Sequence, residues 1–159
     1  FYNYLSKICD IDFCVHENID TLYDSNLYLE GIEDFANSYE YLVVNSEPLS
    51  KQFVHDPECL NQIIIDLSKQ YNVITTKKID GIDCTLDNQY SLLDIGRISY
   101  FIKRFICIHT APHILTLNKF NHHNIEQWIC LHNRHSINFN FVKSFKSHKE
   151  LQNFLDPKL

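Results

Sequence analysis

An α/β fold, a mostly parallel sheet flanked by helices, is what this sequence predicts. Three observations carry that prediction. Short apolar, β-branched runs alternate with amphipathic helical stretches, the pattern of crossover units in a parallel sheet. The strongest run, Phe105-Ile106-Cys107-Ile108, is apolar without a break, as a strand buried on both faces requires. It lies between a helix that ends in charge and a turn, His109-Thr110-Ala111-Pro112-His113, that opens another helix.

In chain order, Tyr41-Leu42-Val43-Val44 is the first firm strand. Asn45-Ser46-Glu47-Pro48 is a turn by composition. Leu60, Ile63, Ile64 and Leu67 place one apolar stripe on a helix over Glu58 to Gln70. Tyr71 to Thr76 is the second strand, and a loop over Lys77 to Asn88 carries Gly81. Ile79, Ile82 and Cys84 could make a short strand within it. Ser91 and Asp94 form a capping-box-like start to a helix over 91–103, with Lys103 and Arg104 in the last turn, where cations suit the dipole. Pro112 suits the first turn of a helix over 112–119. Trp128 to Leu131 and the alternating Ile137 to Val142 are further strands, and His148 to Leu155 is a closing helix. The front end is less regular: Ile11 to Val15 reads as a short strand, Asp24-Ser25-Asn26 as a turn, and Glu33 to Ser38 as a helical turn. Residues 1–38 are accordingly expected to be an N-terminal segment or interdomain linker, and 39–159 the folded domain.

Composition narrows the functional classes. The 159 residues are 45% hydrophobic, enough for one core. No apolar stretch is long enough to span a bilayer, and no leader pattern opens the chain. The chain has no Met, and Phe1 falls in sequence that reads as ordered, so a longer parent protein is expected. Residues 1–60 hold 12 acids and 2 bases, which speaks against general nucleic-acid binding, and 61–159 hold 8 acids and 12 bases. Six scattered cysteines without CxxC spacing read as reduced thiols of a cytoplasmic protein.

With three glycines and neither GxGxxG nor a P-loop, the conventional phosphate cradles are not expected here. Two loops remain as candidates, because ligands of open parallel sheets bind outside the carboxyl ends of the strands. Thr110-Ala111-Pro112-His113 could hold an anion at a helix start through backbone N–H groups, the Thr110 hydroxyl and the His113 ring; its bland counterpart is a structural turn capped by Thr110. Asn45, Ser46 and Glu47 end the first strand and would face the same crevice if that strand neighbours 105–108; simple turn chemistry explains them equally well. Cys130, His132 and His135, near His122 and His123, fit no dependable zinc spacing, so no metal site is expected. Lys77 and Lys78 read as a solvated pair.

Taken together, Tyr41 to Gln52, Tyr71 to Thr76, Ser91 to Tyr100 and Phe105 to His113 resemble the C-terminal, Rossmann-like nucleotide-binding half of GT-B type glycosyltransferases, in a heptosyltransferase-like pattern. In that family an analogous turn reads Ser-Gly-Pro and faces the sugar nucleotide. Here it would be Thr110-Ala111-Pro112, with Ala111 in place of Gly. The resemblance implies a nucleoside-diphosphate sugar donor, no essential metal or further cofactor, and an N-terminal partner domain that supplies the acceptor site and the base. The rival expectation is a non-catalytic Rossmann-like module that acts through protein contacts.

Overall fold

The computed structural model describes residues 31–48, 54–108, 110–116, 121, 123–131 and 142–155, without the side chains of Ala111 and Ile114. The expected features at Ile11 to Val15, Asp24 to Asn26, 137–141, His122, His132 and His135 lie outside the described residues.

Among the described residues, six parallel strands form one sheet: β1 (Tyr41–Val44), β2 (Val73–Thr75), β3 (Asp83–Cys84), β4 (Arg104–Ile108), β5 (Gln127–Leu131) and β6 (Val142–Phe145). Their spatial order is β3-β2-β1-β4-β5-β6. The helices are α1 (Ile32–Ala36), α2 (Pro57–Ser68), α3 (Leu92–Ile98), α4 (Ala111–Leu115) and α5 (His148–Leu155), with a 3-10 turn at Thr85–Asn88. The fold is therefore α/β and Rossmann-like.

Side chains alternate across a strand, so a strand buried on both faces must be apolar at every position. β1 shows this directly. Tyr41 and Val43 pack with Leu60, Ile63, Ile64 and Leu67 of α2 and with Leu151 and Leu155 of α5. Leu42 and Val44 point the other way, among Ile32 and Ala36 of α1, Ile95 and Ile98 of α3, and Trp128. Each fully buried Leu or Ile contributes roughly 1.5–3 kcal/mol, so both layers of helices are held chiefly by this burial. The segment at Ile32–Ala36 thus shares the core of the sheet.

Local signals set the helix starts. Asp56 caps α2 by accepting from the Cys59 N–H at 3.0 Å, which brings Pro57 into the first turn and not into the preceding loop. The expected capping box opens α3: the Ser91 N–H donates to the Asp94 carboxylate at 2.9 Å, and the Asp94 N–H donates back to Ser91 Oγ at 3.3 Å. That carboxyl is held below its ordinary range: burial pushes it up, and the Ser91 and Arg97 bonds outweigh the push. Gly81 adopts φ +79 in the turn that bridges Ile79 and Ile82 ahead of β3.

Other boundaries also differ from the sequence expectation. α3 stops at Ile98, not at 103. The Ser99 hydroxyl donates to the Gly96 carbonyl at 2.6 Å, and Asn121 Nδ2 donates to the Ser99 carbonyl at 3.0 Å, so the carbonyl that would continue the helix is taken. Tyr100 and Phe101 then close with i−3 bonds. Lys103 and Arg104 consequently lie beyond the helix and pair with Glu126, and Arg97 occupies the last turn. α4 ends at Leu115, where the Thr116 hydroxyl donates to the His113 carbonyl at 2.7 Å. The last strand lies at Val142–Phe145, where the sequence had placed the end of one at Val142.

Cys59, Cys84, Cys107 and Cys130 are free thiols. Cys107 and Cys130 face each other in register across β4 and β5. Burial raises both thiols, Cys130 to about 12 and Cys107 further still. The thiolate is the nucleophile, so in the native protein at pH 8 iodoacetamide is expected to label half-buried Cys59 at least about tenfold faster than either core thiol. Peptide mass mapping reads this, and comparable labelling of Cys107 would show that β4 opens readily.

Candidate functional site

The strand order reverses between β1 and β4. From β1 the sheet grows outward to β2 and β3, and from β4 it grows the other way to β5 and β6. This is the switch point at which open α/β sheets form a crevice above the strand ends. Val44 pairs with Cys107, so the loop that begins at Asn45 and the turn that begins at Thr110 leave neighbouring strands at the same edge. The two sequence-chosen loops therefore leave the same edge of the sheet, one on either side of this switch point.

At this edge Asn45 is buried and hydrogen-bonded at both ends of its amide. Its Oδ1 accepts from the Lys77 N–H at 2.7 Å and from the Thr76 hydroxyl at 3.3 Å, and its Nδ2 donates to the Lys77 carbonyl at 2.9 Å. Its own N–H donates to Thr76 Oγ1 at 3.2 Å. The side chain bridges the end of β1 to the end of β2 and fixes the floor of the crevice. Ser46 Oγ lies 3.5 Å from Thr76 Oγ1. Glu47 is exposed and forms an ion pair with Lys77, and that hydrogen bond lowers its carboxyl pKa. Lys78 pairs with Asp87 at 2.8 Å, so neither lysine is merely solvated.

The second loop is equally organised. Thr110 donates its N–H to His113 Nδ1 at 3.1 Å and its hydroxyl to the Ile108 carbonyl at 3.2 Å. Pro112 sits half-buried in the first turn of α4. His113 is 3% exposed, and its ring centroid is 5.7 Å from that of Trp128. Nδ1 also lies against the Thr110 carbonyl. The ring thus faces the interior and holds the turn from behind. Beneath it, Trp128 Nε1 donates to Thr116 Oγ1 at 3.0 Å, and Asn121 Nδ2 donates to the Thr116 carbonyl at 2.9 Å. Trp128 and Asn121 therefore anchor α4 and, through it, the turn.

Sequence reasoning missed Thr76, whose hydroxyl meets both Asn45 and Ser46, and the anchoring role of Asn121. The end of β2 obeys the same strand-end rule as β1 and β4, which would have found Thr76 and raised the standing of Lys77. No spacing signal marks Asn121.

The hollow beside this floor is about 30 Å³, lined by Asn45, His55, Pro57, Leu60, Asn61, Lys77 and Lys78. It suits a water molecule, not an organic ligand. Hollows of about 260 and 330 Å³ lie at the opposite edge, around Tyr39, Glu40 and Arg104 and around Tyr71, Asn72 and Asp83. Among the described residues no group of three His, Cys, Asp or Glu side chains could hold a metal ion, and no helix is long and apolar enough to cross a membrane.

No protein-family model matches the sequence, and no curated protein sequence matches it. Among solved structures, the chain is similar to the Escherichia coli heptosyltransferase WaaC, solved with ADP-2-deoxy-2-fluoro heptose. The TM-score is 0.56 at 11% sequence identity, over 86% of this chain. The match spans 46% of the heptosyltransferase, so this chain corresponds to about half its length. The likeness is one of fold.

Proposed function

We propose that the crevice above β1 and β4 binds the diphosphate of a nucleoside-diphosphate sugar, and that the chain is the nucleotide-binding half of a metal-independent GT-B type glycosyltransferase. The observation that supports this reading is the departure of the 45–48 and 110–113 loops from neighbouring strand ends at the switch point of a sheet whose fold is similar to that of a heptosyltransferase. In this reading Asn45 and His113 act from below, one shaping each loop. Ser46, Thr110, Ala111 and Pro112 line the diphosphate. Glu47 trades its Lys77 partner for a sugar or ribose hydroxyl and leaves the Lys77 ammonium to the phosphates. Donors fixed before the ligand arrives would also stabilise the charge on a departing diphosphate. The ligand lies across an open surface, which suits a cleft closed by a second domain that carries the acceptor.

Titration calorimetry against UDP, GDP and ADP and their sugars tests this. One nucleotide is expected to bind with a chelator present, and Ser46→Ala or Lys77→Ala should weaken it about tenfold. No heat at millimolar ligand, with circular dichroism unchanged, would sink the proposal. A second reading, a module that works only through protein contacts, is favoured by the internal partners already held by Asn45, Glu47 and His113. It predicts that no nucleotide binds.

A further inference from the structure

Outside the crevice floor, two histidines meet where α2 and α5 begin. His55 immediately precedes the Asp56 cap of α2, and His148 is the first residue of α5. Their ring centroids are 5.4 Å apart, at 50° between planes. His148 is 4% exposed and His55 is half-buried. His55 Nδ1 and His148 Nε2 are both shielded from solvent, and Nδ1 of His55 has no hydrogen-bond partner among the described residues. The two helices pack on the same face of the sheet, through Leu60 and Ile64 on one side and Leu151 and Leu155 on the other.

A proton placed on either ring meets opposition from several directions. It enters a poorly hydrated contact, and a second proton would set like charges side by side. The positive end of the α5 dipole disfavours a cation at His148. Among the described residues, the charged groups that face His55 include Glu47 from the β1 loop, Asp56 at the cap and Lys77 after β2, and those facing His148 include His55 and Asp56. The other charges on α5 and β6 among the described residues, Lys143, Lys149 and Glu150, are exposed. Glu47 and Asp56 favour protonation, but burial outweighs them, and both rings are held below the ordinary histidine value.

We infer that His55 and His148 form an acid-released latch, which holds α5 against the start of α2 while both rings are neutral and frees it when they are protonated. The direction follows from the lowered affinity for protons. The folded contact is fully stable above the ordinary histidine value of about 6.5, and stability is lost as pH falls below that value toward the lower value of the folded state. His55 also lines the small hollow beside Asn45 and Lys77, so release of the latch loosens one wall of the crevice. The inference needs no ligand and stands apart from the nucleotide reading.

Hydrogen exchange on the full chain at pH 7.5 and 5.2, corrected for intrinsic rates, tests it. Exchange in the 148–155 peptide is expected to rise at least about fivefold at the lower pH, while β1 and β4 stay protected. His148→Phe should remove most of that rise, and His148→Gln serves as the second variant if the phenylalanine disturbs the fold. Proton NMR titration of the wild-type chain should place both rings below 6.5. Either ring titrating at or above 6.5, or an equal acid response in wild type and variant, would overturn the latch.

Discussion

Replacing Trp128 with alanine is expected to destabilise the protein by about 4 kcal/mol, the upper part of the range for a buried aromatic. The indole is 1% exposed, at the centre of the face formed by Leu42, Phe105, Ile95 and Ile98. Its removal leaves a cavity that the rigid strands on both sides cannot collapse. Nε1 also donates to Thr116 Oγ1, so the change removes one of the ties that hold α4. Trp128→Phe keeps most of the packing and loses the donor, with an expected cost nearer about 1.5 kcal/mol. For a chain of this size 4 kcal/mol corresponds to a fall in Tm of roughly 10 °C or more. Trp128 is the only tryptophan, so circular dichroism, not intrinsic fluorescence, must report the unfolding of the alanine variant. A loss under about 1.5 kcal/mol would show that α4 and the Thr110 turn are fastened by something else.

Asn45→Ala should cost about 2–3 kcal/mol, because it leaves the Lys77 N–H and carbonyl without the amide they share. Asn45→Asp separates the two halves of that bridge. It keeps an acceptor for the Lys77 N–H and for Thr76, loses the donor to the Lys77 carbonyl, and sets a carboxylate against that carbonyl. It should therefore be no more stable than the alanine variant at neutral pH, and should recover as the carboxyl is protonated. Urea midpoints at pH 7 and pH 4.5 read this. An aspartate variant as stable as wild type at pH 7 would mean that the amide nitrogen contributes nothing. Both variants should weaken any nucleotide affinity in proportion to the loosening of the 45–48 loop, since the amide is occupied within the chain.

Much of the sheet was legible because its signals are local. An apolar strand such as Phe105 to Ile108 has few other places to go, and the Ser91–Asp94 box and Pro112 mark helix starts through contacts three residues apart or fewer. The placement of the two loops was legible as a conditional statement: if the first firm strand neighbours Phe105 to Ile108, both loops leave the same edge of the sheet, and the β1–β4 pairing meets that condition. The rest depended on partners distant in sequence. Asn45 looked like turn chemistry because nothing in its neighbourhood announces Lys77. His113 looked like a free donor because nothing nearby announces Trp128, which fills the space behind it. The early end of α3 is set by Asn121, a residue with no periodicity to betray it. Side chains that serve architecture and side chains that serve ligands draw on the same short polar residues, and only the position of their partners separates them.

The pairing of Tyr41 with Arg104 also sets the order of assembly. β2 and β3 follow β1 after a single helix, whereas its other neighbour arrives only when the chain has passed through α3. Loop closure of that length slows folding. Until β4 docks, a half-built β3-β2-β1 sheet exposes the flank of Tyr41-Leu42-Val43-Val44, a strand without a single charge and with unpaired backbone groups along one side. An open flank of that kind is a template for another chain. Refolding yield should therefore fall with protein concentration, with self-association beginning at the strand that later forms the middle of the sheet.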